Sequence, residues 1–366
     1  MSFALRIALT PPLSVGDWAY AFCRPAKIKD EIGWKMKRRC FMTLIGGALG
    51  TALSQQAWAA SSSTDDQLIL PHDDEVRTGG SRMIEISGGY HVWTKKFGDA
   101  PTKVLLLHGG PGADHTGFEC YEDFLPPNGI EFYYYDQLGS TNSDKPDDPK
   151  LWTIERFRDE VEAVREGLGL NEFYLLGQSW GGMLAIDYAL AYPQHLKGLI
   201  ISNMTASIQS YEKYIQQLRA ALPKDVIKTL ERFELSGEYE APEYQRVIVE
   251  QVYRKHLCRL DPWPEPVVRT FRNLNKKIYN YMQGPNELFV TGTTKNWDRW
   301  ADLPRIATKT LVMGAKYDEM APEDLRKMAD LMPDASVWVS DKGSHFTMYD
   351  DQVPYFTRLL TFLKSA

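Results

Sequence analysis

The chain has 366 residues, 43% hydrophobic and 25% charged, with a formal net charge of -6 and a pI of about 5.7. That balance is ordinary for a globular protein with room for one large domain or two small ones, and it excludes general disorder. It also speaks against a nucleic-acid partner, because neutralising phosphates requires a basic face.

The N-terminus departs from this average. Lys35 to Ala60 reads KMKRRCFMTLIGGALGTALSQQAWAA: a basic cluster, an apolar run from Cys40 to Leu53, then a polar stretch ending in Ala57-Trp58-Ala59. This is the order of an export signal, with cleavage expected after Ala59, and the apolar run falls short of the ~20 residues that span a bilayer. Arg38-Arg39 ahead of Cys40, Phe41 and Met42 points to the twin-arginine route, which delivers a folded protein to the periplasm or beyond. A general secretory signal or an uncleaved anchor is the alternative reading. No cysteine follows the apolar run, so a lipid anchor is not expected.

Met36 stands directly before this signal, and residues 1-35 carry no helical or strand period, so they are read as lying ahead of the true start. Loss of residues 1-59 removes 8 Lys/Arg and 3 Asp/Glu, which leaves a mature charge of about -11 and no stable membrane anchor. Of four cysteines, Cys120 and Cys258 then remain. An oxidising compartment permits a disulfide between them, but two separate buried thiols is the preferred reading.

Past the polar SSSTDDQ stretch, Met83 to Phe97 has the pattern of a hairpin: IEIS, then Gly88-Gly89, then YHVWTKKF. KVLLLHG (Lys103 to Gly109) and EFYYYDQ (Glu131 to Gln137) are buried-type strands. Between Thr153 and Leu168, steps of three and four bring Ile154, Phe157, Val161, Val164 and Leu168 onto one helix face. FYLLG (Phe173 to Gly177) predicts a strand and MLAIDYALAY a helix. LKGLIIS (Leu196 to Ser202), KTLVMGA (Lys309 to Ala315) and ASVWVS (Ala335 to Ser340) predict three more strands, with a closing helix from Tyr355 to Lys364. Strands alternating with helices imply a mostly parallel sheet covered on both faces. Residues 60-203 and 298-366 are assigned to this core. Residues 204-297, helical in composition but broken by Pro242, Pro262, Pro264, Pro266 and Pro285, are too long for a connection within one sheet. They are read as a helical cap inserted over the sheet's carboxyl edge.

The chemistry is concentrated where strand meets helix at LLGQSWGGMLAIDYA. Gly177, Gln178, Ser179, Trp180 and Gly181 match G-x-S-x-G, with an apolar strand before and an apolar helix after. A sharp corner of this kind lifts one serine clear of the sheet, and glycines on either side let the two backbones approach. A serine hydroxyl needs a base, which in this architecture follows it in the chain. His195, His256 and His345 are the histidines beyond Ser179. His195 ends the nucleophile's own helix and His256 lies in the cap beside Arg254, Lys255 and Arg259, so His345, after the last strand, is the base expected at the carboxyl edge. Asp318, after strand LVMGA, is the expected orienting acid, ahead of Asp298, Asp302, Asp324 and Asp341. An oxyanion hole needs two backbone N-H groups. Trp180, next to the serine, supplies one, and Gly110 in the HGGPG loop (His108 to Gly112) the other.

With HGGPG, DQLGS (Asp136 to Ser140), GQSWGG and GAKYDEMAP in this order, the chain from about Arg82 onward resembles the proline iminopeptidase (prolyl aminopeptidase) family of α/β-hydrolases. YNYMQGPNEL (Tyr279 to Leu288) resembles the branch with a helical cap. The resemblance implies an α/β-hydrolase fold, removal of an N-terminal residue, preferentially proline, and a role for Glu287 and Glu319 in holding the substrate's free amino end. From composition alone the two glutamates read as solvated surface charges. One departure is Ser140-Thr141-Asn142-Ser143, where many members carry a second glycine, in a loop expected to border the site. Another is the export signal. The expected substrate is a short peptide or aminoacyl amide, cleaved through an acyl-enzyme. An amidase or esterase of amino-acid derivatives with the same triad is the alternative, and a non-catalytic binding protein on the same fold is a rival from another class. No cofactor is expected, and no metal, because no His/Cys/Asp cluster has ligand spacing.

Overall fold

In the computed structural model, residues 76-365 are described; the expected export signal lies outside them. Eight strands form one sheet in the order β1-β2-β4-β3-β5-β6-β7-β8. They are β1 (Ser81–Ile86), β2 (Tyr90–Phe97), β3 (Thr102–Leu107), β4 (Ile130–Asp136), β5 (Phe173–Gln178), β6 (Leu196–Ser202), β7 (Thr310–Ala315) and β8 (Ala335–Ser340). β1 and β2 form the hairpin and β2 pairs antiparallel with β4; every later pairing is parallel.

The central strands read as unbroken apolar runs because both their faces are covered. Successive side chains point to opposite faces, so Leu105 and Leu107 of β3 join one core layer with Leu175 of β5, while Val104 and Leu106 join the other with Tyr174 and Leu176. Helix α1 (Ile154–Leu168) starts at Thr153, whose side chain accepts from Arg156 N, and stops at left-handed Gly169. Phe157, Val161 and Val164 are its buried face; Ile154 and Leu168 sit at the margin. Helix α2 (Trp180–Ala191) has no polar face, and every residue from Trp180 to Ala189 is buried. The crossover from β3 to β4 differs from the expected alternation: it carries a 3-10 helix, His115–Asp123, capped by Asp114, in place of an α-helix.

Between β6 and β7 the chain leaves the sheet for α3 (Ile208–Ala220), α4 (Lys224–Ser236), α5 (Pro242–Ile248), α6 (Glu265–Asn273) and α7 (Lys276–Met282). A π turn, Val249–Tyr253, extends α5. Pro242 starts α5 and Pro266 lies in the first turn of α6, where a missing N-H costs nothing. Helix α8 (Pro322–Leu331) follows β7, and α9 (Gln352–Leu363) closes the chain. Cys120 and Cys258 are separate buried thiols, and burial pushes the Cys258 thiol up to about 12. Among the described residues no helix is long and apolar enough to cross a membrane.

Candidate active site

Ser179 occupies the corner between β5 and α2 with φ 56° and ψ -127°, a conformation that costs a non-glycine residue about 1–3 kcal/mol. The surrounding packing compels it. A Cβ at Gly177 would overlap the Gly181 carbonyl, and one at Gly181 would overlap the carbonyl of Leu107. Strand β3, strand β5 and helix α2 therefore meet at backbone contact, and Ser179 stays partly accessible between buried Gln178 and Trp180.

The HGGPG loop presses on the same corner, since a Cβ on Gly109 would come within 3.1 Å of the Ser179 Cβ. Gly110 adopts φ 114°, and a side chain there would strike the amides of Gly112 and Ala113. Among the described residues, no acceptor takes the backbone N-H of Gly110 or of Trp180. His108 is buried, with Nδ1 donating to the Gly109 carbonyl at 2.9 Å and Nε2 accepting from Gln137 N at 3.1 Å. Burial holds its imidazole below the ordinary histidine range. Gln137 also takes the Trp180 indole N-H at 2.9 Å, so one glutamine joins the loops after β3 and β4 to the serine corner. Ser140, Asn142 and Ser143 brace this network through His108 and Asp136, Thr141 donates to Asp114, and none of the four is part of the cavity wall.

His345 lies in the loop after β8 and Asp318 in the loop after β7. His345 Nδ1 donates to Asp318 Oδ1 at 2.9 Å, and both side chains are buried. Asp318 Oδ1 also accepts from Glu319 N at 2.8 Å. The other acids sit elsewhere: Asp302 pairs with Arg305, Asp298 accepts from Trp300 N, Asp324 is in the first turn of α8, and Asp341 is exposed. His195 lies 3.8 Å from Glu162.

His256 has a part that spacing did not foretell. Its carbonyl accepts from His345 N at 2.9 Å, the next carbonyl, Leu257, accepts from Phe346 N at 2.7 Å, and its Nδ1 donates to the Tyr317 carbonyl at 2.9 Å. Arg259 stacks 3.7 Å over the Tyr317 ring, and its amide donates to Asp350 at 3.1 Å. One cap segment thus touches both loops that carry the buried His-Asp pair.

A cavity of about 250 Å³ opens onto Ser179 and His345. Gly109 and Gly110 form part of its wall, Phe118, Phe271 and Phe346 an apolar part, and Tyr253, Tyr279 and Glu287 a polar one. Glu287 accepts from the Tyr279 hydroxyl, from Tyr211 Oη at 3.2 Å and from Gln283 Nε2 at 3.5 Å. Glu319 lies one layer deeper, buried, with neither carboxylate oxygen hydrogen-bonded and Oε1 3.8 Å from His345 Nδ1. Neither glutamate is the surface charge that composition suggested. Burial lifts both carboxyls above the ordinary range, and for Glu319 the neighbouring charges of Glu287 and Asp318 push the same way. A buried carboxylate without a donor is costly unless a cation arrives to pair with it.

Residues 102–352 match the family model for the alpha/beta hydrolase fold. The chain is 43% identical to a proline iminopeptidase of Flavobacterium johnsoniae over 76% of its own length and 95% of that protein's, and 43% identical to one of Elizabethkingia meningoseptica over 78% and 98%. Among solved structures, VinJ superposes with a TM-score of 0.75 at 32% identity, covering 78% of this chain and 98% of that one. A proline iminopeptidase from Mycobacterium smegmatis gives 0.72 at 31%, covering 78% and 97%.

Proposed function

From its membership of the proline iminopeptidase family of α/β-hydrolases we infer that this chain is a serine aminopeptidase, releasing an N-terminal residue, preferentially proline, from short peptides or aminoacyl amides. The observation that carries the mechanism is the buried His345-Asp318 hydrogen bond on a cavity that also holds the strained Ser179. In this reading Ser179 Oγ attacks the carbonyl of the first residue while His345 Nε2 takes its proton. Asp318, on Nδ1, fixes the tautomer and stabilises the imidazolium. The amides of Gly110 and Trp180 face the oxyanion, a contribution of about 3 kcal/mol for each such donor. The imidazolium then gives its proton to the leaving amine, and water, activated by the same base, releases the amino acid from the acyl-enzyme.

Exopeptidase specificity requires recognition of a terminal ammonium. Glu287 on the cavity wall offers a charge-assisted hydrogen bond, and Glu319 behind it adds a second carboxyl whose oxygens have no hydrogen-bond donor among the described residues. The test compares a prolyl arylamide, its N-acetylated form and a prolyl ester. Turnover of the arylamide and ester with loss of the blocked compound is the expected pattern; unchanged turnover of the blocked amide points instead to a general amidase. Failure of a fluorophosphonate probe to label Ser179 would favour a binding protein.

The mature enzyme is proposed to begin after Ala59 and to work in the periplasm or outside the cell, exported folded through the twin-arginine route on the strength of Arg38-Arg39. Terminal sequencing of the protein from a periplasmic fraction is expected to start at Ala60. Replacing both arginines by lysine is expected to strand it in the cytoplasm, and unaltered export would remove the route.

A further inference from the structure

The last residue before the cap, Asn203, is buried completely and holds φ 54°. A positive φ is uncommon outside glycine, and asparagine is among the few residues that tolerate it. Its backbone N donates to Met313 O at 2.8 Å, which ties the end of β6 to β7. Its side-chain amide points at three targets at once: Nδ2 lies 2.6 Å from Asp318 Oδ2, 3.0 Å from Thr347 Oγ1 and 3.2 Å from the Ser344 carbonyl. The amide orientation is fixed, since a carboxylate only accepts and the nitrogen must face it. On its other side Oδ1 accepts from Ser202 Oγ at 2.8 Å, and Ser202 Oγ is 3.1 Å from Tyr355 Oη, itself 2.7 Å from Tyr121 Oη. Ser202 spends its one proton on Asn203, so Tyr355 must donate to Ser202 and Tyr121 to Tyr355. Every proton in this row is turned toward Asp318.

We propose that Asn203 is a positioning residue for the reaction: one side chain fixes the free oxygen of Asp318 and the loop carrying His345, holding acid and base in register. It rests on the triad reading given above. The need for such a brace follows from the charges around Asp318. His345 donates to it from the β8 loop, Glu319 adjoins it on its own loop, and its charge reaches His256 and Tyr214 of the cap and Asp350 in the turn after the His345 loop. Three of these are acids or phenols that cannot donate to a carboxylate once ionised. Asn203 supplies a donor whose protonation never changes, and it binds the two loops through the same nitrogen.

Two variants test this with a prolyl arylamide. Asn203→Gly keeps the left-handed backbone free of strain while removing the donor. It is expected to lower kcat by 10- to 100-fold with KM changed less than threefold. Asn203→Asp is nearly isosteric and places a second carboxyl against Asp318, and two such groups hold one proton between them. With that proton the new carboxyl donates as the amide did; without it the two repel. The activity of Asn203→Asp relative to wild type should therefore approach one at the acid end of the working range and fall at least tenfold toward the alkaline end, whereas the ratio of Asn203→Gly to wild type should stay constant with pH. Wild-type kcat and an unchanged pH profile in both folded variants would overturn the proposal, leaving a purely structural residue. Should Asn203→Gly not fold, the profile of Asn203→Asp decides alone. Ser179→Ala, run alongside, separates the two readings: activity surviving that change refutes the triad, whereas activity lost there but intact in both Asn203 variants refutes only the brace.

Discussion

Glu319 Oε1 stands 3.8 Å from Nδ1 of His345, on the same edge of the imidazole that Asp318 occupies at 2.9 Å. The carboxylate proposed to attract the substrate's amine is thus a near neighbour of the proposed general base. Recognition and chemistry share one electrostatic field.

Removing that charge should separate binding from turnover. Glu319→Gln is expected to raise KM for a free-amine prolyl arylamide by about 10- to 100-fold, the equivalent of the roughly 1.5–3 kcal/mol of a charge-assisted contact, and to change KM for a simple neutral ester that carries no amine less than threefold. Steady-state kinetics on the two substrates checks it. Equal effects on both would assign Glu319 to the scaffold.

The same substitution makes a statement about stability. A carboxyl whose range is raised by folding favours the folded state fully below its unfolded value, near the ordinary glutamate range, and loses that contribution as pH rises through the raised one. At alkaline pH the empty enzyme bears the charge of a buried group without a donor, so Glu319→Gln should be more stable than wild type at pH 8 by a few degrees in Tm, with the gain vanishing near pH 4. Thermal melts at the two pH values decide, and a loss of Tm at pH 8 contradicts the burial picture.

Ser179→Ala should abolish hydrolysis, by ~10³-fold or more, with little change in Tm. Alanine in place of Gly181 should act in the opposite way, through folding: its Cβ would overlap the Leu107 carbonyl, so β3 and α2 must separate. Circular dichroism melts are expected to show a loss of several degrees for Gly181→Ala and almost none for Ser179→Ala. An undisturbed Gly181→Ala would mean that the corner is looser than its contacts indicate.

Arg299 holds the returning chain to α2, the helix that follows Ser179. It donates to both oxygens of buried Asp187, at 2.7 and 2.9 Å, and Trp297 adds an indole N-H at 3.1 Å. Arg299→Ala leaves a buried carboxylate short of its cation, a loss of about 3–5 kcal/mol. Arg299→Lys should recover only part of this, since an ammonium cannot match the two-pronged geometry. Equal unfolding midpoints for the three proteins in urea would show the pair to be inert.

What the chain's own letters disclosed divides by range. Runs such as KVLLLHG and KTLVMGA were legible as buried strands because sheet burial on both faces writes itself into consecutive residues, and β3 to β7 lie where such runs do, while β1 and β2 were legible as a hairpin and β8 as the half-buried run ASVWVS. Ser179, His345 and Asp318 were legible because each follows a strand at one edge of a parallel sheet. Asn203 was not, because its partners lie 115, 141 and 144 residues away and nothing in SNMTAS marks an amide aimed at a distant carboxylate. The same holds for His256, which read as one member of a basic cluster while its backbone supports the His345 loop. The burial of Glu319 came from tertiary packing alone, and only likeness to a known family had lifted it above a surface charge.

The pairing of His256 and Leu257 with His345 and Phe346 makes the inserted helices more than a roof. Excising them to leave a minimal sheet-and-helix hydrolase would strip away two of the hydrogen bonds that shape the loop bearing His345, the proposed general base. The inserted segment and the sheet scaffold cannot be exchanged as independent modules; a graft of this insertion onto a relative would have to bring the matching loop with it.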